Sequence, residues 1–158
     1  MIIMGIDPGT AKTGYGVIEV STSASMKLLD YGRIVTSKDN LMSERLLKIY
    51  NSSVELVKKH SPDILVIERL FFNTNVKTAL TVGQARGIHI LVAGKFKLPV
   101  FEYTALEAKM VLTGYGRSEK EAVREKVAEY LGEDILKKKG IDASDALAMA
   151  ICHQIKVS

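Results

Sequence analysis

Short apolar runs alternate along the chain with longer stretches of helical periodicity. Residues 2–6 (IIMGI) are apolar and short, which is typical of a strand buried on both faces of a sheet. Residues 63–68 (DILVIE) have the same character, with four apolar residues between two acids. Residues 14–20 and 28–36 are predicted to be antiparallel hairpin partners of the first strand, and 99–103 a further short strand.

Helical periodicity predicts the remaining elements. The predicted helices span residues 41–60, 75–95, 104–113, 118–131 and 142–156. Ser118 and Glu121 have the spacing of a capping box at the start of the fourth helix. Three meandering strands followed by strands that alternate with helices predict a single α/β domain over residues 1–158, with a mixed sheet covered by helices.

Composition narrows the class of protein. Apolar residues make up 47% and charged residues 25% of the 158 residues, which is ordinary for a folded domain. The single cysteine, Cys152, excludes a disulfide scaffold and suits a reducing compartment. The apolar runs are far shorter than the roughly 20 residues needed to span a bilayer, and the first residues lack the features of a signal peptide. We therefore expect a cytoplasmic protein without a membrane partner.

Acidic residues stand at the ends of the buried elements. Asp7 follows the first buried strand, and Glu68 ends the second. If these strands are parallel neighbours, both carboxylates emerge at the carboxyl edge of the sheet, where open α/β sheets bind ligands. Asp142 and Asp145 open the last helix, and their i, i+3 spacing places them on one helical face.

Each acid also has a simpler interpretation when it is considered alone. Asp7 precedes Pro8-Gly9 and is suited to an Asx turn, and Glu68 is suited to a strand end that reaches solvent. Asp142 is a suitable N-cap, and Asp145 is favoured by the helix dipole. Taken together, converging carboxylates repel one another unless a cation lies among them.

An all-oxygen ligand set favours Mg²⁺, with Mn²⁺ as a substitute, over zinc. Two such ions about 3.5–4 Å apart perform in-line phosphoryl displacement, so we expect two ions in one site. The 22 Lys and Arg residues exceed the 18 acids, and no acid lies between Arg69 and Phe101. This one-signed stretch is either a solvated helix face or a contact for a polyanion. The combination predicts phosphodiester cleavage.

Six motifs resemble one known family. They are GIDPGTAKTGYGVIE at 5–19, IERLFF at 67–72, VGQARG at 82–87, PVFEYT at 99–104, GRSEK at 116–120 and IDASDALAMA at 141–150. Together they resemble the RuvC-type Holliday-junction resolvases over nearly the whole chain. The resemblance implies a ribonuclease-H-like fold: an α/β architecture with a five-stranded mixed β-sheet flanked by α-helices. It also implies a homodimer that resolves four-way DNA junctions by paired symmetric nicks in recombination and repair, with a branch-migration motor as a further partner.

The resemblance also implies roles for individual residues. Asp7, Glu68, Asp142 and Asp145 match the metal-binding catalytic acids. Lys109 and Lys120 match basic residues near the cleaved phosphate, although without the resemblance a solvated lysine is the preferred interpretation of each. Phe71 matches an aromatic residue that stacks on an unpaired base; Phe72 is the alternative ring, and a core contact is the simpler interpretation of both. Asn75 is suited to a phosphate contact or to capping the next helix.

Three other functions fit parts of the sequence. Asp-x-Gly-Thr in GIDPGT is similar to the phosphate loop of actin-like and sugar-kinase ATPases, although those proteins need a second lobe. A non-catalytic junction-binding module would retain the acids for structure. Another nuclease of the same fold, such as a ribonuclease H or a transposase, would share the acids but act on a different nucleic acid. Glycines at 83, 87 and 94 let a second backbone approach closely, so residues 75–95 are the expected dimer contact.

Overall fold

The computed structural model describes residues 1–70, 75–132 and 143–158. Its strands are β1 (Ile2–Asp7), β2 (Lys12–Val20), β3 (Met26–Val35), β4 (Ile64–Glu68) and β5 (Val100–Tyr103). Its helices are α1 (Met42–His60), α2 (Val76–Lys95), α3 (Ala105–Thr113), α4 (Lys120–Leu131) and α5 (Ala143–Val157). No helix in these ranges is long and apolar enough to cross a membrane.

The five strands form one mixed sheet in the order β3-β2-β1-β4-β5. β2 pairs antiparallel with both β1 and β3, whereas β4 pairs parallel with both β1 and β5. This arrangement confirms the predicted five-stranded mixed sheet flanked by helices. It also makes β1 and β4 parallel neighbours, which is the condition that brings the ends of both buried strands to one edge.

Side-chain alternation along the strands divides the core into two layers. On one face, Ile3 and Val66 pack with Leu147 of α5 and with residues of α3 and α4. On the other face, Met4 and Ile67 pack against residues of α1 and α2. The strands therefore have continuous apolar sequences because both of their faces are buried.

The observed element ends differ from the predicted ones where polar residues extend the pairing. β2 and β3 each begin two residues before their predicted starts, because Lys12 pairs with Val35 and Val20 pairs with Met26. The capping box predicted for α4 is wrong. The helix begins at Lys120, and the Ser118 hydroxyl donates instead to the Tyr115 carbonyl at 2.6 Å, in the turn before it.

A capping box that the sequence analysis did not identify begins α3. The Glu107 backbone N–H donates to Thr104 Oγ1 at 3.1 Å, and the Thr104 N–H donates to Glu107 Oε2 at 2.7 Å. These bonds satisfy two of the donors that a helix start leaves unpaired. They fix the position where the chain leaves β5 and enters the helix that carries Lys109.

Candidate active site

Asp7 and Glu68 lie side by side at the carboxyl edge of the sheet. In the parallel pair, Ile6 is opposite Ile67, so the next residue of each strand is one of the two acids. Asp7 has the same parity as Ile3, and Glu68 the same parity as Val66, both of which face α5. The two carboxylates therefore lie at the carboxyl edge that the sequence predicts, and they emerge there on the α5 face of the sheet.

Two glycines let α5 lie unusually close to the sheet. A Cβ atom at Gly5 would overlap the backbone carbonyl oxygen of Ala146, and one at Gly16 would overlap the side chain of Leu147. Glycine in a strand interior is otherwise unfavourable, so these positions mark a close approach of backbone. This contact places Asp145, in the first turn of α5, beside the strand ends.

The three described acids interact strongly. The pKa of Glu68 is raised to about 8, chiefly by burial and then, in order of importance, by the negative charge of Asp7, a hydrogen bond with Asp7 and the charge of Asp145. The positive charge of Lys109 acts in the opposite direction. At neutral pH and without a bound cation, Glu68 therefore retains a proton, since three carboxylates cannot all be ionised so close together.

Two lysines face the acids across a pocket. Lys120 Nζ lies 3.6 Å from Asp145 Oδ2, while 75% of the Lys120 side chain is exposed. The pocket lies between α3, α4 and α5 and is lined by Glu68, Ala105, Ala108, Lys109, Lys120, Val123, Asp145, Ala148 and Met149. Apolar walls with charged groups at the mouth are typical of a site that orients a polar substrate. Both lysines were predicted to lie near the cleaved phosphate, whereas the contact between Lys120 and Asp145 was not predicted.

The chemistry of this donor set fits a hard divalent cation, because the donors are carboxylate oxygens and one of them holds a proton that a cation would displace. Within the described ranges, however, no group of three or more His, Cys, Asp or Glu side chains is arranged to hold a metal ion. Asp142, the fourth predicted acid, lies outside the described residues. The metal site therefore stays a prediction.

Phe71 and Phe72 also lie outside the described residues, so base stacking by either ring stays a prediction. Asn75 is the N-cap of α2: its side-chain oxygen accepts from the backbone N–H groups of Lys77 at 3.1 Å and Thr78 at 3.3 Å. The capping interpretation of Asn75 is confirmed, and its contact with DNA remains a prediction.

The loop after Asp7 is fixed by its own threonines. The Thr10 hydroxyl donates to the Thr81 carbonyl at 2.6 Å, and the Thr13 hydroxyl donates to the Gly9 carbonyl at 2.8 Å. Both side chains are buried. Their hydroxyls thus serve the fold, which weighs against the phosphate-loop interpretation of GIDPGT.

Sequence reasoning missed an ion-pair cluster at the same edge of the sheet, on the opposite face from the acids. Glu102 of β5 accepts a short hydrogen bond from Arg86 of α2, and it lies 3.8 Å from the Nε of Arg69. The acid-free stretch that begins at Arg69 was visible in the sequence. The partner was not, because it depends on β5 lying beside β4 with α2 packed over both.

Comparison with known proteins assigns the chain to a family. The family model of the crossover junction endodeoxyribonuclease RuvC matches residues 3–153. The RuvC of Caldicellulosiruptor saccharolyticus is 44% identical over 158 residues, covering 100% of this chain and 95% of the relative. The RuvC of Ruminiclostridium cellulolyticum is 48% identical over 153 residues, covering 97% of this chain and 91% of the relative.

Solved structures agree with this assignment. The structure of Thermus thermophilus RuvC in complex with a Holliday junction substrate superposes with a TM-score of 0.91 at 30% identity, covering 99% of this chain and 94% of that one. The fowlpox virus Holliday junction resolvase shares the fold, with a TM-score of 0.63 at 17% identity and complete coverage of both chains. The chain, with its acids at the edge of a ribonuclease-H-like sheet, belongs to the RuvC family of crossover junction endodeoxyribonucleases.

Proposed function

We propose that this protein is a structure-selective DNA endonuclease that resolves four-way junctions by paired, symmetric nicks. The observation that carries the proposal is the convergence of Asp7, Glu68 and Asp145 beneath Lys109 and Lys120, at the carboxyl edge of the sheet. Membership of the RuvC family adds the substrate, since a relative with the same fold is bound to a Holliday junction.

The acids are the proposed ligands of Mg²⁺, with Mn²⁺ as a substitute and two ions per site. Asp7, Glu68 and Asp145 would hold the ions together with Asp142, which would complete a set that the described residues do not form by themselves. When bound, such ions supply a water of lowered pKa and positive charge beside the leaving oxygen. Loss of the Glu68 proton accompanies binding, because a carboxylate must be ionised to serve as a ligand.

The protein's own side chains position the phosphodiester and balance its charge. Lys109 and Lys120 line the pocket together with Glu68 and Asp145, so a phosphate in the pocket would meet positive charge as well as the carboxylates. Lys120, held near Asp145 but largely exposed, is free to extend toward a non-bridging oxygen. The expected products have 5′-phosphate and 3′-hydroxyl ends, and Phe71 or Phe72 would stack on an unpaired base at the junction.

Homodimer formation is part of the proposal, and α2 offers the surface. Exposed apolar side chains on α2 include Val76 (76% exposed), Leu80 (64%) and Leu91 (59%). Gly87 lies between Leu80 and Leu91, and Gly94 follows Leu91 by three residues. Both glycines have open space where a side chain would be. These five positions are three, four or seven residues apart, so they share one face of the helix. A second copy packed here would present two acid sites for two nicks.

The dimer is tested by sedimentation. Leu80→Glu should shift the protein to a monomer, whereas Leu47→Glu, at an equally exposed leucine of α1 (58% exposed), should leave the dimer intact. A wild-type protein that sediments as a monomer at micromolar concentration contradicts the dimer proposal. Docking of a branch-migration motor and a cytoplasmic location belong to the same proposal and rest on the family alone.

The activity is tested with a synthetic four-way junction and purified protein, with and without Mg²⁺. We expect paired nicks only with the metal, and little cleavage of linear duplex or of an RNA–DNA hybrid. Asp7→Asn should abolish nicking and retain junction binding, while Asp39→Asn, at an exposed loop acid, should retain both. Binding without nicking by the wild type would favour a non-catalytic module, and preferred cleavage of the hybrid would favour another nuclease of the fold.

A further inference from the structure

Arg69, Arg86 and Glu102 form a cluster of three charges at the end of β4. Arg69 follows Glu68 directly, and its backbone N–H donates to the Tyr103 carbonyl at 2.8 Å. The Arg86 side chain reaches Glu102 Oε1 in a short hydrogen bond, and the Arg69 Nε lies 3.8 Å from the other oxygen, Oε2. Two guanidinium groups therefore share one carboxylate.

The cluster of two arginines and one glutamate carries a net positive charge. In the described part of the chain, Glu102 is the carboxylate that both arginines reach. Burial lowers the pKa of Arg86, and the charge of Arg69 lowers it further, so the two cations repel each other. The backbone N–H of Thr104 lowers the pKa of Glu107 most and the charge of Arg69 lowers it least, so Glu107 of α3 offsets the charge of Arg69 only weakly. A further anion beside Arg69 would reduce the repulsion between the two arginines.

The two arginines differ in what they can still bind. Arg86 is 20% exposed and is held closely by Glu102, whereas Arg69 is 54% exposed and only loosely paired. A guanidinium has five N–H donors in a planar fork, and the contact with Glu102 involves Arg69 Nε alone. The terminal nitrogens of Arg69 therefore have the capacity for a bidentate contact with a phosphate.

The cluster lies on the opposite face of the sheet from the acids. Glu102 is paired with Ile67, which faces α1 and α2, and Arg86 belongs to α2. Glu68 faces the pocket beside α5, so consecutive residues of the chain, Glu68 and Arg69, extend to opposite faces. An anion bound by Arg69 is therefore distinct from the phosphodiester in the acid pocket.

We infer that Arg69 binds a phosphate of the junction other than the one that is cleaved, and that this phosphate replaces the loose contact between Arg69 and Glu102. The inference rests on the proposed function, because it takes DNA as the ligand. The acid-free stretch that begins at Arg69 would then help to hold a DNA strand where that strand passes around the edge of the sheet from one face to the other.

The test compares junction binding across a range of salt concentrations. All variants are made in the full chain with Asp7→Asn, so that no cleavage occurs, and binding to a labelled four-way junction is measured by fluorescence anisotropy. Loss of one phosphate contact should reduce the slope of log K against log salt by about 0.7–0.9. Arg69→Gln should show this reduction in slope. When the salt concentration rises fourfold, the factor by which the affinity of Arg69→Gln falls should therefore be about threefold smaller than the factor for the parent.

Glu102→Gln separates phosphate binding from a purely structural ion pair. Without the competing carboxylate, we expect binding at least as tight as that of the parent. Lys27→Gln is the charge-matched control, because Lys27 pairs with Glu19, which in turn pairs with Ile2 at the other end of β1 from Asp7. It should retain the parent slope.

An unchanged slope in Arg69→Gln overturns the inference, as does an equal loss in Lys27→Gln. Equal weakening by Arg69→Gln and Glu102→Gln overturns it too, since that result indicates a structural pair. In the nicking-competent protein, Arg69→Gln should raise the half-saturating junction concentration and leave the maximal rate within about twofold of wild type. A wild-type protein that neither binds nor nicks junctions would instead contradict the proposed function.

Discussion

Replacing Glu68 with glutamine should stabilise the metal-free protein at neutral and alkaline pH. Glu68 holds its proton in the folded state up to about pH 8, whereas the unfolded chain releases it near 4.5. Between these values the folded state binds one more proton, so the free energy of unfolding falls as the pH rises. Glutamine has the same shape, cannot ionise, and removes this penalty.

The magnitude follows from the size of the shift. Each pH unit between the two pKa values costs about 1.4 kcal/mol, which amounts to about 3 kcal/mol at pH 7. For a chain of this length, that corresponds to a rise in Tm of about 6–12 °C for Glu68→Gln. The advantage should be near zero at pH 4.5, increase with pH, and level off above about pH 8.

The assay is urea unfolding in the presence of EDTA, followed by far-UV circular dichroism because the chain has no tryptophan. Glu19→Gln, at an exposed acid on the far end of the sheet, is the control and should not reproduce the pH-dependent gain. A difference between Glu68→Gln and wild type that does not vary with pH would refute the reasoning. Added Mg²⁺ should stabilise the wild type at pH 8 and have a smaller effect on the variant.

Three further predictions follow from the contacts around the site. Gly5→Ala should lower the free energy of unfolding by several kcal/mol and the nicking rate by more than tenfold, because the methyl group would push α5 and Asp145 away from the sheet. Thermal unfolding and a nicking assay measure the two effects, and wild-type values in both would show that the close contact is dispensable. Lys120→Gln should slow nicking about 100-fold in single-turnover kinetics and leave the affinity for the junction within a few-fold of wild type. An unchanged nicking rate would show that Lys120 is only a solvated side chain. Burial lowers the pKa of His89 to about 4, so the free energy of unfolding should fall by about 3 kcal/mol as the pH falls from 6.5 to 4. In urea titrations, His89→Gln should reduce this loss of stability at acid pH, and an equally steep loss in the variant would show that His89 is not its cause.

The strands and the acids were predictable because their signals are local. Ile2–Ile6 and Ile64–Ile67 are apolar because both faces of the central strands are buried, and an acid directly after such a run indicates the strand end. Parity and parallel pairing then placed Asp7 beside Glu68 without further information. The family resemblance extended the prediction to the lysines.

Other parts of the site depend on tertiary proximity and had no local signal. The Arg69–Glu102–Arg86 cluster joins three elements whose order in space is set by the sheet. The capping box at Ser118 was wrong because a spacing of three residues is also common in turns, and here the serine bonds to Tyr115. The Thr104–Glu107 box has the same spacing, was not predicted, and is formed in the structure, so spacing alone does not distinguish the two.

The seating of α5 against Gly5 and Gly16 has a consequence for synthesis on the ribosome. β1 and β2 leave the exit tunnel early, and the helix that covers them is translated last among the described elements. Until that helix docks, Asp7 and Glu68 have no Asp145 beside them, and the apolar side of the strands remains uncovered. A nascent chain that ends before α5 therefore lacks Asp145 and cannot assemble the proposed metal site.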